Sequence, residues 1–109
     1  MKLIIAIVQD EDAARLVSNL MNEGYSVTKL ATTGGFLRAG NTTLLIGVDD
    51  ERFEDCLHII EKLCKSRRQM TTSPMPGGGA VGMYTQMPIE VTVGGATVFV
   101  TDVEHFEKL

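Results

Sequence analysis

The chain opens on an unbroken apolar run, Leu3-Ile-Ile-Ala-Ile-Val8, partly β-branched. Such a run reads as a strand that is covered on both faces or centrally placed. Gln9-Asp-Glu-Asp12 then changes to helix-start chemistry: Asp10 can cap, and Glu11 and Asp12 suit the positive helix end. Ala13, Leu16, Val17, Leu20 and Met21 repeat at the spacing of one buried helical face. Gly24 is a natural stop. Tyr25 to Thr33 reads as a second strand and Thr42 to Val48 as a third. Asp49-Asp-Glu51 opens a second helix, along which Phe53, Cys56, Leu57, Ile60, Leu63 and Cys64 keep helical spacing. Ile89–Val93 and Ala96–Thr101 read as two more strands, joined at Gly94-Gly95 as a hairpin or bulge. Asp102 is expected to cap a short final turn carrying Phe106.

The order strand, helix, strand, strand, helix, strand or strand pair predicts an α+β fold of the ferredoxin-like double βαβ type. At 109 residues it forms a single domain, residues 1–109. Both helices would cover the same face of an antiparallel sheet. Several strands are apolar on both sides, so the opposite face calls for oligomerisation.

Ser66 to Pro88 stands apart, with three prolines, Gly77-Gly-Gly79, Gly82 and four methionines. It reads as a long flexible loop, because stretches beyond ~12–15 residues without periodicity are functional or disordered. The triple glycine lacks the following Lys-Ser/Thr and the preceding strand of a nucleotide P-loop.

Composition narrows the function. The hydrophobic share of 44% supports a real core. No apolar run reaches the ~18 residues of a membrane span, and the start is too short for a signal peptide, which makes the cytoplasm the default. A net charge of −4 argues against a nucleic-acid polymer as partner. Lys62, Lys65, Arg67 and Arg68 read as favourable charge at a helix C-terminus. Cys56 and Cys64 lie ~12 Å apart along one helix, too far for a disulfide, and with His58 and His105 they make no zinc pattern. The acids at Asp49–Glu51 read as capping, not as a metal site. No Ser-His-Asp, Cys-His or acid–base pair is visible, so catalytic residues are not expected, and neither is an enzyme.

The densest chemistry lies in Lys29-Leu-Ala-Thr-Thr-Gly-Gly-Phe-Leu-Arg-Ala-Gly-Asn-Thr-Thr43. Gly34-Gly35 lets backbone amides approach a ligand, since no Cβ intervenes. Phe36 offers a π-face, and Asn41 a donor–acceptor edge able to match a base. Thr32, Thr33, Thr42 and Thr43 add hydroxyls. The set suits a nucleobase and a phosphate better than covalent chemistry. A mononucleotide such as ATP or ADP would call for several cations here, and only Lys29 and Arg38 are present. A regulatory module that binds ATP or ADP and controls a transporter or enzyme is therefore the alternative reading.

Four stretches resemble the cyclic di-AMP receptor branch (PstA/DarA) of the PII signal-transduction family. They are Ile5-Ala-Ile-Val-Gln-Asp10, Val27 through Thr43, Gly47-Val48, and Glu90-Val-Thr-Val-Gly-Gly-Ala-Thr-Val-Phe-Val100. The resemblance implies a homotrimer with cyclic di-AMP in each cleft between neighbouring subunits, and no further cofactor. It implies that a short loop at 34–40 and the long loop at 66–88 flank the ligand. Carried over by motif, Phe36 would stack on adenine, and Asn41 with the backbone near Gly35 would read its polar edge. Thr28 would contact phosphate, while Leu37, Gly47, Gly94 and Gly95 would line the pocket. The implied role is a non-catalytic receptor that signals through loop conformation to a downstream protein.

Overall fold

Hydrophobic spacing fixes two helices and four strands in one layer pair, and a computed structural model describes them over residues 1–30, 40–75 and 85–109. The elements are β1 (Lys2–Gln9), α1 (Asp10–Asn22), β2 (Ser26–Lys29) and β3 (Asn41–Val48). A 3₁₀ turn (Asp50–Arg52), α2 (Phe53–Cys64), β4 (Arg67–Met75), β5 (Thr85–Val93) and β6 (Ala96–Asp102) follow. Strands pair antiparallel in the order β2-β3-β1-β6. That order, with two helices on one face, is compatible with the ferredoxin-like arrangement expected.

Alternation along β1 decides the core. Ile4, Ala6 and Val8 face the helices and are buried, as are Leu44, Ile46 and Val48 of β3. Ala13, Leu16 and Leu20 of α1 and Cys56, Ile60 and Cys64 of α2 close over them. Each fully buried Leu or Ile contributes about 1.5–3 kcal/mol. Val17 only packs at the margin, and Met21 is 61% exposed, so the buried stripe of α1 is narrower than its apolar spacing suggested.

Burial raises both cysteine thiols, to about 11 for Cys56 and for Cys64. Both are free and enclosed in the helix–sheet seam. The native protein should therefore react negligibly with a thiol reagent at neutral pH and release two equivalents on denaturation. Native reaction at the denatured rate would mean that this seam opens readily.

Four readings are corrected. The expected loop Ser66–Pro88 is largely an antiparallel ribbon: β4 pairs with β5 from Arg67↔Val93 out to Met75↔Thr85. Pro74 and Pro88 concealed it. In a two-stranded ribbon each strand has an unpaired edge where a missing N–H costs nothing. Residues 76–84 lie outside the described residues. Second, Gly94-Gly95 does not close a hairpin; it turns the chain from the ribbon into β6 of the other sheet. Third, Asp102 ends β6 and pairs with Lys2 at 2.5 Å, so it caps no helix. Fourth, Asp10 is the first residue of α1 and makes no capping bond, its carboxylate accepting instead from the Thr42 hydroxyl.

The ribbon makes extensive contact only within itself. The radius of gyration is 18.8 Å, against about 13 Å for a compact chain of this length. The ribbon thus extends from the sheet as an arm.

Candidate functional site

Two backbone devices and one side-chain pair place Asn41 at the head of β3. Gly40 adopts φ 103°, a left-handed turn that other residues rarely take. Its carbonyl accepts from the Asp10 N–H at 2.8 Å. The Thr42 hydroxyl then binds the Asp10 carboxylate, tying the strand start to the start of α1. Antiparallel register sets Asn41 directly opposite Gln9.

Gly94 and Gly95 reach the same place from the other side. Both have positive φ, 80° and 96°, as the abrupt change of sheet demands. The Gly94 N–H donates to Gln9 Oε1 at 2.7 Å, and the Gly95 N–H donates to the Cys64 carbonyl at the end of α2. Ile7, Gln9, Asn41, Gly94, Gly95 and Thr97 enclose an open concavity of about 360 Å³. That lies at the small end of ligand sites, ~300–1,000 Å³.

Beside this corner lies a charged cluster on a buried carboxylate. Asp12 is buried, and Arg67 at the root of β4 grips it through Nη2–Oδ1 at 3.0 Å and Nη1–Oδ2 at 3.4 Å. Arg15 adds a contact at 3.3 Å. The hydrogen bond to Asp12 holds the Arg67 guanidinium above its ordinary pKa, so it stays charged. Arg67 is thus committed to a buried carboxylate and does not serve a helix C-terminus. Arg68 faces Glu90 across the ribbon at 3.4 Å.

The other expected residues divide. Gly47 sits at the far end of β3, six residues from Asn41 and so ~20 Å away. There it borders a second, smaller hollow of about 220 Å³ with Ser26, Arg52 and Phe106. Thr28 is exposed on β2 opposite Leu45, between the two ends. Gly35, Phe36 and Leu37 fall outside the described residues. One protomer thus gathers Asn41, Gly94 and Gly95 and leaves Gly47 apart. Gln9 was not among the expected site residues. Its signal was the register, since pairing the end of β1 with the start of β3 sets Gln9 beside Asn41.

The face carrying these residues is the one the helices leave open. Leu3, Ile5 and Ile7 of β1 share it with Leu45 and with Phe99, which is 58% exposed. Among the described residues no three His, Cys, Asp or Glu side chains converge as a metal set. No described helix is long and apolar enough to cross a membrane.

The sequence pattern of the cyclic-di-AMP receptor family matches residues 1–109, the whole chain. The chain belongs to this family. It is the PstA/DarA family, and the match favours a dinucleotide receptor over the ATP or ADP module. A receptor family is one whose members bind ligand rather than turn it over. The chain is also similar to a solved structure, that of a functionally unknown protein from Pediococcus pentosaceus ATCC 25745. The two are 44% identical with a TM-score of 0.76, over 99% of this chain and 96% of that one. That likeness supports the small α+β fold with antiparallel sheets.

Proposed function

We propose that this protein is a non-catalytic receptor that binds cyclic di-AMP in clefts between neighbouring copies of a homotrimer. The family match over the full length carries the reading. Supporting it, the concavity at Asn41 and Gly94 is open and falls within the size range of ligand sites. Gly47 and Thr28 lie elsewhere on the same open face, so a second copy packed there would bring its own Gly47 end toward the first copy's Asn41. The apolar stripe Leu3, Ile5, Ile7, Leu45 and Phe99 gives that packing its driving force. The cytoplasm is the compartment this role assumes.

In this reading Phe36 stacks on adenine, Asn41 with the Gly35 backbone meets its polar edge, and Thr28 contacts phosphate. Leu37, Gly47, Gly94 and Gly95 form the walls. The β4–β5 ribbon, rooted at Gly94, is the output element presented to a downstream protein. Ligand shifts its population because only some ribbon positions share contacts with the bound dinucleotide.

Calorimetric titration with cyclic di-AMP, cyclic di-GMP and ATP in parallel tests the reading. Cyclic di-AMP should bind well ahead of cyclic di-GMP, because guanine places a carbonyl where adenine has an amino group. A mismatched buried polar pair costs ~1–3 kcal/mol. Phe36→Ala should weaken binding by about 1–3 kcal/mol through lost stacking, and Asn41→Ala by a similar amount through an unpaired edge. Equal affinity for the two cyclic dinucleotides would overturn the proposal. Hydrogen exchange with and without ligand should show added protection between Arg67 and Val93. Unchanged protection there would remove the ribbon as the switch.

A further inference from the structure

Gln9 lies within one of the resemblance stretches but carried no expected role. Its side chain lines the concavity beside Asn41, and its Oε1 accepts the Gly94 N–H at 2.7 Å. A backbone N–H can only donate, so this bond fixes the amide's orientation: oxygen toward Gly94, nitrogen away from it. Nε2 makes no hydrogen bond to any described residue, and among those residues no buried side-chain nitrogen lacks a partner. Among the described residues it is thus not a sealed, unpaired donor, and it belongs to a side chain that lines the concavity.

We infer that Gln9 is a ligand-contacting residue whose Nε2 donates to an acceptor of the bound nucleotide, while its Oε1 holds the ribbon corner. The inference rests on the cyclic di-AMP reading for the identity of the ligand, though not for the corner. Adenine ring nitrogens and phosphate oxygens are acceptors that a carboxamide N–H₂ can serve. The corner leaves Gly94 little room: a Cβ there would meet the Arg67 guanidinium and the Lys65 carbonyl, and Arg67 is itself held by the buried Asp12. Gln9 thus joins the floor of the concavity to the root of the ribbon through a single side chain.

Two substitutions separate the functions. Gln9→Glu keeps an acceptor for the Gly94 N–H, strengthened by charge, but loses both donors. Gln9→Met loses acceptor and donors together. In the free protein, Gly94 amide exchange measured by NMR should stay within about twofold of wild type in Q9E and rise at least roughly tenfold in Q9M. Affinity for cyclic di-AMP should fall roughly tenfold in both. Titration of Q9E at raised salt, where repulsion between its carboxylate and phosphate is screened, should leave most of that loss in place. Binding of Q9E within twofold of wild type would overturn the contact. Unaltered Gly94 exchange in Q9M would overturn the corner, whatever ligand binds. Absence of cyclic di-AMP binding by the wild type would overturn the functional reading and the ligand half of this inference together.

Discussion

Gly94→Ala is expected to destabilise the fold by about 2–4 kcal/mol. Its φ of 80° is left-handed, a conformation that costs an L-residue ~1–2 kcal/mol. The added Cβ would also lie 2.8 Å from the Lys65 carbonyl oxygen, which is backbone and cannot swing aside. Relief requires moving the chain between α2 and β4, and that strains the neighbouring Gly95 N–H bond to Cys64. For a domain of this size the loss corresponds to a fall in Tm of at least ~8 °C. Gly47→Ala is the control, since nothing lies within 4 Å of its Cβ position and its φ is ordinary. It should leave Tm nearly unchanged, so any loss of cyclic di-AMP affinity in it would report on the ligand. A Gly94→Ala protein with wild-type Tm and ribbon exchange would show that the corner is not rigid.

Phe99→Glu is expected to break the assembly. Phe99 stands on the edge strand β6 opposite Ile5, in the apolar stripe on the sheet's open face. In a trimer closed over that face each copy would bury one unpaired carboxylate, at several kcal/mol apiece. In a lone protomer the same glutamate is solvated, so the fold should persist. Light scattering should therefore find a trimer for wild type and a monomer with native circular dichroism for the variant. On the proposed reading the monomer should also lose cyclic di-AMP, because each proposed cleft needs a neighbouring copy. A variant that remains trimeric would move the interface elsewhere.

Much of this protein follows from local pattern. The two helices and the four strands of the main sheet appear in the spacing of apolar positions, because 3.6- and 2-residue periods each suit only one backbone geometry. The candidate binding chemistry is also local: glycines, Phe36 and Asn41 within fifteen residues suggest a nucleotide ligand without reference to the fold. What the pattern hides is pairing. Ser66 to Pro88 reads as loop because its prolines and glycines break periodicity, yet a partner strand supplies the ladder that single-strand chemistry does not reveal. Asp12 reads as a dipole-favouring helix-start residue, and only Arg67, fifty-five residues later, makes it a buried clamp. Gln9 acquires meaning in the same way, from Asn41 across β3 and from Gly94 eighty-five residues on. Composition and period follow from each segment's own chemistry, whereas a site built from three distant segments exists only once long-range contacts have brought them together.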